Sequence, residues 1–298
     1  MKKVILILFA FTALHYVLKA NLRVGNTRYS HCAVSGSQTI LGPFNAEHAK
    51  LGALTVTGNC DLDESTAESL SVTGPCKLKR SKISRHFSGT GSLTASHTEF
   101  GSCSNTGPLD FKHVTIDGSL KNTGPSTIVH SSGTELKITG PCECEHNSFE
   151  GGEITGTTKI SDSKYTKKLI LTGQTNLRSS SFGSLKITGK TTISHCSAHD
   201  AEITGNSLVD DCEIKEITLT CQDATFDSCN CNVLYVEKND SSKSIKDPTV
   251  IKIAHSNKSK PNNYIKRIVC ADPETKIIFL AGSTKADDIK GTEHITYN

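Results

Sequence analysis

Glycine recurs along this chain at Gly25, Gly42, Gly58, Gly74, Gly91, Gly107, Gly124, Gly140, Gly156, Gly173, Gly189 and Gly205, and Cys221 keeps the same step. The separations are sixteen residues eight times and seventeen four times, and Thr precedes the anchor in every unit from Thr57 to Thr220. A unit this short cannot bury an apolar face of its own, so thirteen such units in a row are stable only if each covers the next. That one regularity excludes a conventional globular core and predicts a stack.

The residues between anchors say what is stacked. Two and four positions before the glycine the residues are apolar, as at Leu54 and Val56, Leu70 and Val72, and Leu185 and Ile187. Four after it comes Leu62, Leu78, Phe111, Ile128, Ile160, Leu177 or Ile193, and seven after it a small residue such as Ser65, Ser81, Ser163, Cys196 or Cys212. Alternation with a period of two is the mark of strands with one buried face. The expected fold is therefore all-β, a parallel β-solenoid of about thirteen triangular coils of 16–17 residues, each made of three short strands, with coils about 4.8 Å apart. Glycine is expected at a corner where the backbone takes positive φ or approaches its neighbour closely. Asn105 and Asn122 stand where an aliphatic is expected, and either a stacked Asn ladder or a local bulge would accommodate them.

Three regions are expected. Residues 1–20 begin with Met1-Lys2-Lys3, continue apolar from Val4 to Leu18 and end on Ala20, the pattern of a cleaved signal peptide. Residues 21–237 hold the repeats. Residues 238–298 lose the sixteen-residue register, carry the polar runs "EKNDSSKSIKDP" and "HSNKSKPNN" between strand-like stretches, and read as a C-terminal β cap over an otherwise open edge. Later stretches are too short and polar to cross a bilayer as a helix. Removing Lys2, Lys3 and Lys19 takes the net charge from +3 to about zero, which argues against nucleic acid as a partner.

Candidate chemistry is sparse. Twelve cysteines in an exported chain invite disulfides, and Cys60 with Cys76 and Cys196 with Cys212 occupy equal positions in adjacent coils. A ladder of reduced, packed thiols satisfies the same pattern. Six residues after the anchor stand His97, His113, His130 and His146 in four successive coils, with His48 and His195 elsewhere. Imidazoles one coil apart offer a row of ligands for Zn²⁺, Cu²⁺ or Ni²⁺. The competing reading is a corner in left-handed conformation, which Asp162 and Asp211 fill in other coils and which His and Asp tolerate. No phosphate loop, nucleophile elbow or H-E-x-x-H occurs, and no unit between Gly25 and Cys221 gains more than one extra residue. An enzyme is not expected, and no cofactor is.

Over residues 25–237 the short, insertion-free coils resemble the bactofilin-type, polymer-forming β-helix proteins of bacteria, and more closely exported repeat proteins of unknown function from Gram-negative bacteria. The resemblance implies a non-catalytic scaffold; the signal peptide, the cysteines and the tail depart from bactofilins. Together these features predict an exported structural or interaction protein of the cell envelope or exterior, a scaffold or adhesin. Its partner is expected to be a protein or glycan surface, or a second copy of the chain; the alternative role is metal binding by the histidine ladder, and glycan processing ranks behind it.

Overall fold

The computed structural model describes residues 22–238, 248–255, 264–280, 283 and 286–297; the expected signal peptide and much of the two polar runs in the tail lie outside the described residues. The protein is an all-β parallel β-solenoid of about 16 turns. It divides into two compact units, residues 1–134 and 135–298, each a stack of parallel coils.

Within a coil a four-residue strand is followed by one of eight or nine. In the first unit Cys60–Asp63 and Thr66–Thr73 make one coil; in the second, Thr191–Ser194 and Ser197–Thr204 do so. Register follows the apolar columns: Leu62 faces Leu78, Leu54 faces Leu70, and Ile187, Ile203 and Leu219 stand in line. All of these are buried.

The expected second and third strands of a coil run together as the longer strand. Its pleat slips once: in Lys50–Thr57 the inward residues are Leu51, then Leu54 and Val56. The third corner lies in that slip. It also takes the seventeenth residue. Lys82–Thr90, Thr115–Thr123 and Lys164–Thr172, from three of the seventeen-residue units, have nine residues where the others have eight, with a register shift at Ile83/His86 in the first. A bulge absorbs one extra residue without moving the apolar columns on either side.

The other two corners take positive φ. At the first, Gly42, Gly58, Gly74 and their successors have φ near 130°, Gly74 at 132°. A Cβ on Gly74 would lie 2.5 Å from the carbonyl oxygen of Gly58. Both the conformation and the approach of one backbone to the next demand glycine. At the second, six residues on, and seven at Ser228, the left-handed conformation falls on residues that have a Cβ: His31, His48, Glu64, Arg80, His97, His113 and His130 in the first unit, then His146, Asp162, Ser179, His195, Asp211 and Ser228 in the second, all with φ between 46° and 56°.

Hydrogen bonding between coils passes through both corners. The Gly58 N–H donates to Thr73 O at 2.8 Å and the His48 N–H to Asp63 O at 3.1 Å. Just past the second corner the chain turns its N–H away from any carbonyl, and a side chain takes over. Ala49 N–H donates to Ser65 Oγ at 3.1 Å, Ser65 N–H to Ser81 Oγ at 3.2 Å, and in the second unit Asn147 N–H to Ser163 Oγ at 3.0 Å. Each hydroxyl in turn donates to the carbonyl two residues back, Ser65 to Asp63 O and Ser163 to Ser161 O. A small residue recurs there because a buried N–H needs an acceptor that only a short hydroxyl or thiol can supply.

Asn105 and Asn122 form the ladder. Asn105 Nδ2 donates to Asn122 Oδ1 at 3.0 Å and Asn122 Nδ2 to Ser126 Oγ at 2.9 Å, all three side chains being buried.

The tail is built from parallel strands on the same ladder. Val250–Ala254 pairs in parallel with Asp223–Asp227, Tyr264–Cys270 with Asn230–Val236, and Lys276–Phe279 with Val250–Ala254, so the coils continue beyond residue 237. Longer connections break the sequence period there while the ladder persists.

Changing Gly74 to Ala is expected to cost about 3 kcal/mol or more, since strain at positive φ alone amounts to roughly 1–3 kcal/mol and the Cβ meets Gly58 O. Gly36→Ala, with φ of 79° and nothing within 4 Å of its Cβ, is expected to cost only the conformational part. Chemical denaturation of both variants checks this; equal losses would remove close approach as the reason for the glycine column.

Candidate functional site

The corner histidines are the most distinctive side chains outside the core. Their rings stack face to face: His31 on His48 at 4.7 Å between centroids, His97 on His113 at 4.8 Å and His113 on His130 at 4.9 Å, with interplanar angles of 19°, 28° and 5°. Parallel rings hold equivalent nitrogens about as far apart as their centres and aimed the same way. That is wider than the edge of about 3.4 Å that a tetrahedral ion with bonds of 2.0–2.1 Å spans. In this arrangement His97, His113 and His130 present a row of separate imidazoles.

Convergence occurs one coil later, within the second unit. There Glu145, His146 and Asp162 bring one ligand atom each to within 4.8 Å of one another, the one such group of three His, Cys, Asp or Glu among the described residues. Glu145 Oε1 lies 3.5 Å from His146 Nε2. Of the four histidines expected to bind metal, His146 belongs to this group and His97, His113 and His130 do not. Glu145 and Asp162 were legible only in part: Asp162 as a corner filler sixteen residues after His146, and Glu145 as its neighbour in the chain.

Stacking has an electrostatic consequence. Lost hydration within the stack, and then the like charges of His97 and His130 on either side, hold His113 below the ordinary imidazole value. A base whose pKa is lower folded than unfolded binds fewer protons in the folded chain. Its contribution is complete at pH above the unfolded value of about 6.5 and is lost as pH falls through and below it. The denaturation midpoint is expected to drop between pH 7.5 and pH 5, and to drop less in His113→Asn, which keeps a residue suited to the left-handed corner. An identical pH profile for the two proteins would show that the stack carries no proton penalty.

All the cysteines but Cys32 are buried. Cys60 and Cys76 face each other in register. Cys142 Sγ and Cys144 Sγ, on one strand, lie 3.5 Å apart. Cys196, Cys212 and Cys229 occupy the rungs that serine fills in earlier coils: Cys196 N–H donates to Cys212 Sγ at 3.4 Å, and the thiols donate to Ser194 O, Asp210 O and Asp227 O at 3.2, 3.0 and 3.1 Å. A bridge between Cys196 and Cys212 would remove two of those donors. Cys196 pulls the Cys212 thiol down, but Cys229 and burial outweigh it and push it up to about 12, while burial takes Cys221 and Cys231 to about 12 as well. Thiols held this high stay protonated at neutral pH and react slowly. Since serine makes the same bonds, Cys212→Ser is expected to change stability by less than about 1 kcal/mol. A loss of roughly 2–4 kcal/mol under non-reducing conditions would instead show a disulfide.

An open groove of about 590 Å³ lies along the second unit. The inward column Tyr165, Phe182, Ala198, Ile214 steps from a ring to a methyl at Ala198. The missing volume leaves Phe182, Ile214 and Cys231 along the apolar side, with His199, Lys215 and Tyr264 at the edge. Lys215 Nζ lies 3.4 Å from His199 Nε2, and His199 Nδ1 3.2 Å from Asp200 Oδ1.

No protein-family model matches the sequence, no curated protein matches it, and no solved structure matches the fold. No helix of the described residues is long and apolar enough to cross a membrane.

Proposed function

We propose that this chain is an exported, non-catalytic structural and interaction protein of the cell envelope or exterior, acting as a scaffold or adhesin toward a protein or glycan surface. The observation that carries the reading is the absence of inserted loops: between Gly25 and Cys221 no unit exceeds its neighbours by more than one residue, so polar groups are displayed in rows on coil faces. Catalysis by acids and bases needs groups that converge around a substrate; rows one coil apart offer repeated, equivalent contacts instead. A polymer-forming scaffold of the bactofilin type is the finer form of this proposal, and the groove beside Ala198 is its candidate contact surface.

Two measurements test it together. Tagged full-length protein expressed in its own host is expected to be reached by antibody and protease on intact cells. The purified protein is expected to bind a panel of envelope glycans or surface proteins without turning any of them over. Retention in the cytosol, or hydrolysis of a glycan by the purified chain, would overturn the reading. Size-exclusion chromatography separates the finer form, with long assemblies expected only for a polymer-forming scaffold.

A further inference from the structure

We propose that Glu145, His146 and Asp162 form a binding site for a first-row divalent transition ion, Zn²⁺ foremost, with the remaining coordination position open to solvent. Nitrogen with two carboxylate oxygens is a donor set suited to zinc. The 3.5 Å between Glu145 Oε1 and His146 Nε2 already matches the edge of about 3.4 Å of a tetrahedral zinc site. All three ligand atoms lie within 4.8 Å of one another, so small side-chain rotations bring Asp162 onto the same ion.

The site is anchored on backbone. His146 and Asp162 sit on consecutive corners with φ of 53° and 49°. Their N–H groups donate across the coils to Ser161 O and Arg178 O, each at 3.1 Å. Two of the three ligands therefore start from fixed positions and lose little freedom on binding.

Comparison with the other corners isolates this one. A histidine followed one coil later by a corner carboxylate occurs three times. At His48 and Glu64, 3.0 Å apart, the next corner is Arg80, whose Nε holds Glu64 at 2.7 Å and supplies the positive charge an ion would bring. At His195 and Asp211, 3.5 Å apart, the residue before the histidine is Ser194, so no second carboxylate joins. Only at His146 does an acid precede the histidine while the corner after the carboxylate, Ser179, carries no cation. The donor count reaches three there and nowhere else among the described residues.

Calorimetric titration of the full chain with Zn²⁺ at pH 7.5 is expected to show one ion bound per chain. Co²⁺ at the same site is expected to give the visible absorption of a tetrahedral complex. His146→Asn and Asp162→Asn, both compatible with the left-handed corner, are each expected to weaken binding tenfold or more, whereas His113→Asn leaves it unchanged. Should Asp162→Asn lose its far-UV circular dichroism, Asp162→Ser serves instead, since serine occupies this corner at Ser179 and Ser228. No heat with wild-type protein would overturn the site. So would binding that the corner variants leave intact, which would place zinc on thiols, or binding that His113→Asn abolishes, which would place it on the histidine stack.

Discussion

Hydrogen bonding that continues through the corners is the condition on which everything else in this molecule depends. A strand ladder ordinarily ends where the chain turns, leaving N–H and C=O groups that must find water. In the coils anchored on Gly42 to Gly205 the chain turns twice at positive φ and still donates to the next: Gly58 N–H to Thr73 O, and His48 N–H to Asp63 O. Backbones held that close leave no room for a side chain on the first corner, hence the glycine column. At the second corner most side chains are exposed, so residues tolerant of the left-handed region fit. Histidine, aspartate, glutamate, arginine and serine all occur there. The one N–H that finds no carbonyl is supplied by the serine and cysteine rungs, which explains why thiols and hydroxyls exchange along a single column.

Much of this was visible because the sequence repeats one unit thirteen times over and each repeat confirms the last. The glycine spacing, the inward columns through Leu62, Ile187 and Ile203, and the left-handed corner at His113 were all readable from residue type and position. What was not readable had physical reasons. Two strands merged into one because the third corner is a slip in the pleat, as at Leu51 and Leu54, and carries no residue signature of its own. The coils after residue 237 are not legible as repeats because longer connections break the spacing that announces a coil, although Ile251 and Ile253 keep facing Ala224 and Phe226. For Asn105 and Asn122 residue type allowed two outcomes, and only geometry shows amide bonded to amide. The Glu145, His146 and Asp162 group was half visible: His146 and Asp162 share the corner column, but Glu145 lies off the corner.

Outside the core, neighbouring coils are matched by charge. Arg80 reaches Asp63 and Glu64, Arg85 meets Glu68, and in the second unit Lys167 meets Glu150, Lys137 meets Glu153 and Lys186 meets Glu202. Exposed pairs of this kind add little stability, typically about 0–1 kcal/mol each. Their worth is in register. A shift of one residue along the strand would separate these pairs and turn every inward side chain outward. The same face-by-face matching leaves the outer surface a mosaic of rows.

The seventeenth residue at the third corner has a consequence for how such a chain can change over time. Because a bulge accepts a single extra residue without disturbing either flanking column, small insertions are absorbed there, whereas anywhere else they would reverse the faces of a strand. Between Gly25 and Cys221 larger changes are accommodated in steps of one complete coil, since a whole coil removed or duplicated leaves its former neighbours with matching corners, rungs and apolar columns. Length in this molecule is thus quantised: the gene can grow or shrink by copying a turn, and every copy arrives with its own partners already in place above and below.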